Sequence, residues 1–350
     1  MQTDLKIIHI LASAGSPASI EINDNMPCPL VTIGIPTFNQ EKYISEAIES
    51  ALAQHYPNLE VVVADDGSTD NTAPIASKYL SDPRFKYYRN PCNAGRVGNY
   101  KKLLYEFAGG EWYLNLDGDD FLVDTNFIST AIECISQNKQ LVLFQSTHFR
   151  EDNLGSRTLK TFPQTQLLTI VDGKDFLINY PEKMGVQHLG AVYNRKKAME
   201  IDFYRSDTLR SDSESILRLA LKGQVAFYNK PVGVWRDHGN NETWLLNEQT
   251  LSKEKAVFDA VAADASGIIS PGVLKKWVKK VRENIDLYYL DSYLARKPFP
   301  SNFKFLARHF HLRLAYFRLF FKHLYHGLFK NIPNKYHGRA NNSSGYVSRA

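Results

Sequence analysis

The feature that most restricts the fold is an alternation of short strand-like segments with helical patterns from Val31 to about Ile135. Val31–Ile35 and Glu60–Ala64 are rich in buried-strand residues, and Glu41–His55 between them has the spacing of an amphipathic helix. Strands that alternate with helices form βαβ units around a mostly parallel sheet. The sequence therefore predicts an α/β fold in which helices flank that sheet.

The rest of the chain continues this pattern and then changes to helices. Further strands are predicted at Phe85–Arg89, Trp112–Leu116, Leu141–Gln145 and Gly190–Asn194, and helices near Asn99–Phe107, near Gly173–Asn179 and from about Ser213. Strand signals fade after Asn247. We expect an N-terminal lead-in over residues 1–29, an α/β domain over 30–247, a helical C-terminal region over 248–339 and a flexible tail over 340–350.

Polar residues follow the first two predicted strands at once. Pro36-Thr37-Phe38-Asn39 follows the first strand, and the second is followed by a cluster that begins at Asp65-Asp66. The carboxyl ends of parallel strands share one edge of a sheet, where such folds bind ligands. A carboxylate there can accept the N–H of a uracil ring, and Phe38 offers a face for stacking. Ordinary turn formation is the alternative for both clusters.

The third cluster is Asp117-Gly118-Asp119-Asp120, after the predicted strand Trp112–Leu116. Carboxylates separated by one residue can share a hard divalent cation and leave positions for diphosphate oxygens. An EF-hand loop would need Glu at its twelfth position, which is Ile128 here. The cluster therefore indicates a metal-diphosphate site, with a solvated acidic turn as the alternative.

These motifs occur in a recognisable order. VTIGIPTFNQEKYISEAIESALAQ, VVVADDGSTDNT, RNPCNAGRVGNY and YLNLDGDDFL follow one another, and QHLGAVYNRK, LRSDSESILRLALKG and VWRDHGNNET continue the series more weakly. The series resembles the family 2 glycosyltransferases of bacterial cell-surface glycan synthesis, over residues 30 to 245. The resemblance implies a GT-A fold, a nucleotide-sugar donor, with a UDP-sugar expected, and a Mn²⁺ or Mg²⁺ cofactor.

The resemblance also assigns roles at the donor site. The positions that match those holding the nucleoside are Pro36, Thr37, Phe38 and Asp66, with Asp66 recognising the base. The loop that approaches the diphosphate contains Asn93, Gly95 and Arg96. Asp117 and Asp119 match the DXD pair, with Asp119 on the metal and Asp117 on the metal or the ribose. A surface arginine paired with an acid is the alternative for Arg96.

Two later residues complete the expected site. The resemblance makes Asp212 the general base that takes the proton of the acceptor hydroxyl, in a single displacement that inverts the anomeric carbon. Ser211 and Glu214 also match a helix capping box, which would give this segment a structural role. His238 resembles a late histidine of the family that binds the metal or a phosphate, and a hydrogen-bonding structural role is its alternative.

The charge is distributed unevenly along the chain. Residues 271–350 carry sixteen Lys and Arg against three Asp and Glu, although the whole chain has a net charge of only +5. A basic amphipathic helix is predicted over about residues 302–330. Such a helix can lie on an anionic membrane surface or pack on the domain, and its wide apolar face fits lipid better than nucleic acid. Three scattered cysteines favour a reducing, cytoplasmic setting. The basic helix would attach the protein peripherally to the inner face of the bacterial plasma membrane.

Together these observations predict an inverting, metal-dependent hexosyltransferase-type enzyme that acts on a glycan or lipid-linked glycan acceptor. A GT-A module that binds a nucleotide or glycan without catalysis is one alternative. A sugar nucleotidyltransferase is another, although its Gly-rich phosphate loop would stand where Pro36-Thr37-Phe38-Asn39 is found.

Overall fold

The structure is a computed structural model that describes residues 28–296, apart from 164, 182–185, 240 and 242–247. Most of the predicted lead-in, the predicted amphipathic helix over 302–330 and the predicted tail over 340–350 lie outside the described residues. None of the described helices is both long enough and apolar enough to cross a membrane.

The described elements follow the expected alternation and end in two helices. The strands are β1 (Val31–Thr37), β2 (Leu59–Asp65), β3 (Phe85–Arg89), β4 (Trp112–Asn115), β5 (Phe121–Leu122), β6 (Leu141–Glu151), β7 (Arg157–Lys160), β8 (Leu168–Asp172), β9 (Ala191–Asn194) and β10 (Gln224–Arg236). The helices are α1 (Ile44–Leu52), α2 (Thr72–Ala76), α3 (Arg96–Lys101), α4 (Phe127–Gln137), α5 (Gly173–Asn179), α6 (Arg195–Glu200), α7 (Ser211–Ala220), α8 (Glu248–Asp264) and α9 (Pro271–Arg296). A 3₁₀ turn (Ser77–Tyr79) follows α2, and a π-helical segment (Lys102–Phe107) extends α3.

The described strands form one sheet in the order β3-β2-β1-β4-β9-β6-β10-β5, with β7 and β8 paired to β6 and β10. The first four strands are parallel, and β9 runs antiparallel to its neighbours β4 and β6. Thr37 pairs with Asp65, and Asp65 pairs with Arg89, so the carboxyl ends of β1, β2 and β3 are level. The first four strands form the parallel part of the predicted sheet, with their polar ends along one edge. Strands β5, β7, β8 and β9 pair antiparallel with their neighbours, so the described sheet as a whole is mixed.

Each face of the sheet has its own hydrophobic core. Helix α1 buries Ile44, Ala47, Ile48 and Ala51 against one face, at the three- and four-residue spacing of an amphipathic helix. Apolar residues of α8 and α9 are buried in the core on the other face, together with those of α5 and α7. The two C-terminal helices therefore pack into the same core as the sheet.

Several predicted boundaries differ from those of the structure. Helix α1 is shorter than the predicted Glu41–His55, because Glu41 instead bonds the loop after β2: its backbone N–H donates to Asp70 and its carboxylate accepts from Asn71. Strand β6 continues past Gln145 to Glu151 because its polar second half pairs with β7 and β10. Such long-range pairing leaves no local pattern in the sequence.

Candidate functional site

The ends of β1 and β2 are joined by their backbones and by side chains. The N–H of Asp66 donates to the carbonyl of Thr37 over 2.9 Å. Asn39, with a positive φ of 53°, accepts from the N–H of Thr69 and donates its own N–H to Ser68. A positive φ is tolerated better by Asn than by most residues. The two loops thus form one rigid corner of the sheet.

Asp66 lies at the centre of this corner and is 3% exposed. Its Oδ1 accepts hydrogen bonds from Asn90 Nδ2 at 2.7 Å and from the N–H of Ala94 at 2.8 Å. Among the described residues no donor bonds to its other oxygen, Oδ2. Phe38 is 45% exposed at the end of β1. An oriented carboxylate oxygen and an open aromatic face are the two elements expected for holding a uracil ring.

The loop before α3 brings Asn93 and Gly95 to the same edge. Asn93 Oδ1 accepts from the N–H of Gly95 at 2.9 Å, and Gly95 has a φ of 79°, which favours glycine. Arg96 then begins α3 and points across the site, where its Nη2 donates to the carbonyl of Thr208 at 2.7 Å. Its guanidinium lies 5.4 Å from the centre of the Tyr100 ring. Arg96 thereby ties this loop to the segment before α7.

Asp117 follows β4 and is held by two donors on one oxygen. Tyr100 Oη and Asn115 Nδ2 each donate to Asp117 Oδ1 over 2.9 Å. Burial, followed by the nearby carboxylate of Asp119, raises the pKa of Asp117 to about 6, although Arg96 opposes the shift. Two half-buried carboxylates this close to each other have an excess of negative charge that a bound cation would offset.

Gly118, between the two aspartates, is required by the close approach of β1. Its N–H donates to the carbonyl of Pro36 at 3.1 Å. A Cβ at this position would lie 2.2 Å from Gln40 Oε1 and 3.0 Å from Thr37 Oγ1. Pro36 and Thr37, both predicted to contact the nucleoside, therefore lie directly against the acidic loop.

Asp119 contacts His238 through a direct hydrogen bond. His238 Nε2 donates to Asp119 Oδ2 at 2.9 Å, and this hydrogen bond raises the pKa of His238. The imidazole stacks on Tyr43, with ring centres 5.2 Å apart and planes inclined by 12°. The two residues are separated by more than one hundred positions in the chain and meet because β10 returns beside the acidic loop.

Asp120 and Arg236 support this loop and were not among the predicted site residues. The N–H of Arg236 donates to Asp120 Oδ1 at 3.0 Å, and Arg236 Nη1 donates to the carbonyl of Asp119 at 2.8 Å. Burial, then the charges of Asp119 and Asp117, raise the pKa of Asp120 well above its usual range. Asp120 could have been predicted because it is the third acid of the DGDD motif. No sequence pattern around Arg236 indicated that it would contact this loop.

Behind Asp117 lies a buried chain of hydrogen bonds, also absent from the predictions. Asn115 Nδ2 lies 3.2 Å from His188 Nδ1, and His188 Nε2 lies 3.2 Å from the hydroxyl of Tyr204. Because an amide N–H₂ can only donate, Nδ1 is the acceptor, and the neutral ring carries its proton on Nε2. Burial lowers the pKa of His188 to about 4, which keeps the ring neutral. His188 belongs to the QHLGAVYNRK motif, which was the signal available in the sequence.

Asp212 lies half-buried in the first turn of α7, where its Oδ1 accepts from the N–H of Ser213 at 2.6 Å. The capping-box alternative is wrong: no side chain caps the N-terminus of α7, and Glu214 is buried next to Arg205 at 3.2 Å. Asp212 lies close enough to His188 to oppose the lowering of its pKa. The segment before α7 is thus part of the same site.

The fit of this site to a divalent cation depends on the protein side chains that could bind it. Among the described residues, no group of three or more His, Cys, Asp and Glu side chains could hold a metal ion. The carboxylate oxygens of Asp117 and Asp119 are nevertheless hard ligands with an excess of negative charge, which suits Mg²⁺ or Mn²⁺ when substrate oxygens supply the remaining positions. The protein residues fit a cation that is shared with a diphosphate, rather than one held by protein alone.

Comparison with known proteins is consistent with this geometry. Residues 32–201 match the profile of glycosyl transferase family 2. An uncharacterised glycosyltransferase of Haemophilus influenzae is 31% identical over 156 residues, covering 44% of this chain and 61% of the relative. The poly(ribitol-phosphate) beta-N-acetylglucosaminyltransferase TarS of Staphylococcus aureus is 30% identical over 168 residues, which cover 43% of this chain and 29% of TarS. Chondroitin synthase of Pasteurella multocida is 33% identical over 235 residues, which cover 65% of this chain and 23% of the synthase. The chain thus spans less than two thirds of the length of each of these relatives.

Solved structures give the same fold. Residues 1–349 of S. aureus TarS in complex with UDP-GlcNAc superpose with a TM-score of 0.58 and 16% identity, covering 84% of this chain and 79% of that one. The UDP complex of the same protein gives a TM-score of 0.55 with 17% identity. The likeness confirms the predicted GT-A fold.

Proposed function

We propose that this chain, whose residues 32–201 match the profile of glycosyl transferase family 2, is an inverting, metal-dependent glycosyltransferase that uses a UDP-sugar. One observation carries the proposal: three polar strand ends meet at a single edge of the sheet. Asp66 is bonded to the end of β1 through Thr37, and the acidic loop is bonded to the same strand through Pro36. These bonds support the proposal that Asp66 recognises the base while Asp117 and Asp119 bind the metal in the same site.

In this proposal the nucleotide lies along the edge from Phe38 to the acidic loop. The ring stacks on Phe38 and its N–H donates to Asp66, while Asn93 and Gly95 approach the diphosphate. TarS of S. aureus, which shares the fold, was solved in complexes with UDP and with UDP-GlcNAc. These complexes support a uridine nucleotide as the nucleotide part of the sugar donor.

Asp119 and Asp117 would hold Mn²⁺ or Mg²⁺, with His238 as a further ligand or as the group that orients Asp119. When bound, the cation offsets the negative charge that develops on the departing diphosphate. Arg96 adds positive charge near Asp117, as its lowering of that residue's pKa indicates.

Asp212 would act as the general base. As the acceptor oxygen forms a bond to the anomeric carbon, the bond from that carbon to the diphosphate oxygen breaks, and UDP leaves with the electron pair. The acceptor hydroxyl proton passes to the Asp212 carboxylate. Because attack and departure occur on opposite faces of the carbon, the configuration inverts.

The proposal predicts that Asp119→Asn lowers Mn²⁺-dependent release of UDP from a panel of UDP-sugars by about a hundredfold, since the charge that stabilises the leaving group is reduced. Asp259→Asn removes an exposed carboxylate on α8 and serves as the matched control. Thermal shifts with UDP and Mn²⁺ give an independent readout of binding. Binding of UDP without turnover on any sugar would favour the non-catalytic module, and release of pyrophosphate from a sugar phosphate and UTP would favour a nucleotidyltransferase.

For the acceptor we propose a glycan or lipid-linked glycan used in cell-surface polysaccharide synthesis. The curated relatives include enzymes whose names specify polymeric acceptors or products, namely TarS and chondroitin synthase. The predicted basic helix over residues 302–330, outside the described residues, would bring the enzyme to an anionic membrane surface at the cytoplasmic side.

A further inference from the structure

A group of basic and neutral polar side chains lies on one face of the sheet where β7 pairs with β6. His148 and Lys160 are direct partners in the antiparallel pairing. Arg150 is two residues further along β6 and therefore projects from the same face as His148. We call these three residues the β6–β7 basic cluster.

Lys160 differs from the neighbouring cations in its surroundings. Arg150 forms an ion pair with Asp237, and Arg157 forms one with Glu151. Lys160 is half-buried, yet in the part of the chain that the structure describes no carboxylate lies within ion-pair distance of its Nζ. Burial and the charge of Arg150 lower the pKa of Lys160. A partly desolvated ammonium beside another cation is stabilised when an anion binds next to it.

The remaining groups of the cluster suit a carbohydrate. Gln187 Nε2 donates to His148 Nδ1, and burial, with the charge of Lys160, lowers the pKa of His148 to about 3. His148 is therefore a neutral hydrogen-bonding group at pH 7. The Arg150 guanidinium lies 5.5 Å from the ring centre of Trp235, a half-buried aromatic residue of β10.

The cluster also borders the proposed reaction centre. Asp237, the partner of Arg150, immediately precedes His238, which bonds to Asp119. The N–H of Asp237 donates to the carbonyl of Glu151 at 2.8 Å, which fixes this link between β10 and β6. Arg150 is thereby connected to the acidic loop through Asp237 and His238, and Lys160 lies near Arg150.

We propose that the β6–β7 basic cluster binds an anionic group of the acceptor, a phosphate or a carboxylate, with Lys160 as its principal contact. This inference rests on the proposed glycosyltransferase function and specifies the class of its acceptor. Lys160 would determine specificity, and no step of the chemistry would pass through it.

The test measures binding rather than turnover. Three oligosaccharide probes with the same backbone, one neutral, one with a uronic acid and one with a phosphodiester, are titrated calorimetrically into the protein saturated with UDP and Mn²⁺. The wild type should prefer one anionic probe over the neutral one, and the preferred anion identifies its source. Lys160→Gln should weaken binding of that probe by about tenfold, because a charge-assisted hydrogen bond is lost. Lys160→Arg should retain the preference.

Lys139→Gln is the matched control, since Lys139 is exposed in the turn before β6 and away from the cluster. Equal binding of all three probes, no binding of any probe, or equal weakening by Lys160→Gln and Lys139→Gln would overturn the inference. If UDP binds and any of these results is found, the acceptor inference fails and the donor proposal stands. If the protein does not bind UDP before the probes are added, the donor proposal itself is refuted. Thermal unfolding of each variant verifies that the fold is retained.

Discussion

His188 illustrates how a residue outside the predicted site can determine the geometry of one within it. Its Nδ1 accepts from Asn115, whose Nδ2 also lies 2.9 Å from Asp117 Oδ1. The ring is buried, at 5% exposure, and bonded on its other side to Tyr204. A proton on Nδ1 would place two donors face to face. The orientation of Asp117 therefore depends on a neutral His188.

We predict a pH-dependent contribution of His188 to stability. The folded pKa of about 4 lies below the ordinary 6.5, so stability is fully present above pH 6.5 and is lost as the pH falls toward 4. The variant His188→Gln has no titrating ring and should not lose this stability. The unfolding free energy of the wild type should therefore fall by about 2 kcal/mol more than that of the variant between pH 7 and pH 5. Urea unfolding at both pH values measures it, and a constant difference would contradict the assignment.

At the scale of elements, the segment before α7 is held from two sides. Glu254 of α8 is 2% exposed and accepts from the N–H of Leu209 at 2.9 Å and of Arg210 at 3.1 Å. On the other side, Arg96 of α3 donates to the carbonyl of Thr208. The first turn of α7, with Asp212, is thereby positioned by a helix that follows the sheet and by the loop that approaches the donor.

We expect Glu254→Ala to affect the base more than the nucleotide end of the site. Two partly buried N–H groups lose their acceptor, which should lower stability by about 2 kcal/mol. Displacement of Asp212 should reduce turnover by about tenfold, because small misplacements of catalytic groups are costly, while affinity for UDP is unchanged. Steady-state kinetics and UDP titration measure both, with the exposed Lys253→Ala as control. Unchanged turnover would show that Glu254 has no positioning role.

At the scale of the whole molecule, the described C-terminal helices and the sheet form one unit. Phe258 of α8 and Trp277 and Val281 of α9 are buried in the core shared with α5 and α7. Trp277 also donates its Nε1–H to the carbonyl of Tyr180 at 3.2 Å. The acidic site is thus built on a body that includes residues up to α9, while the strongest basic charge lies in the sequence beyond it.

This division gives a prediction for the segment beyond α9. Deletion of residues 300–350 should abolish flotation with vesicles that contain anionic lipid, because the predicted basic helix is removed. The transfer reaction with a water-soluble acceptor should be retained, since the proposed site lies within residues 28–296. Vesicles of neutral lipid are the control. Undiminished flotation of the shortened protein with anionic vesicles would exclude a role of this segment in membrane binding.

The sequence by itself determined the α/β class, the ends of β3 and α5, and the polar clusters after β1, β2 and β4, because these depend on local periodicity and turn chemistry. The resemblance then assigned roles that remain predictions for Asp66, Asp117, Asp119, Asp212 and His238. Only the tertiary structure decided which groups meet: Arg96 with Thr208, His238 with Asp119, and Lys160 with no acid among the described residues. Such contacts join residues far apart in the chain, so their energies depend on packing and desolvation that no local pattern records.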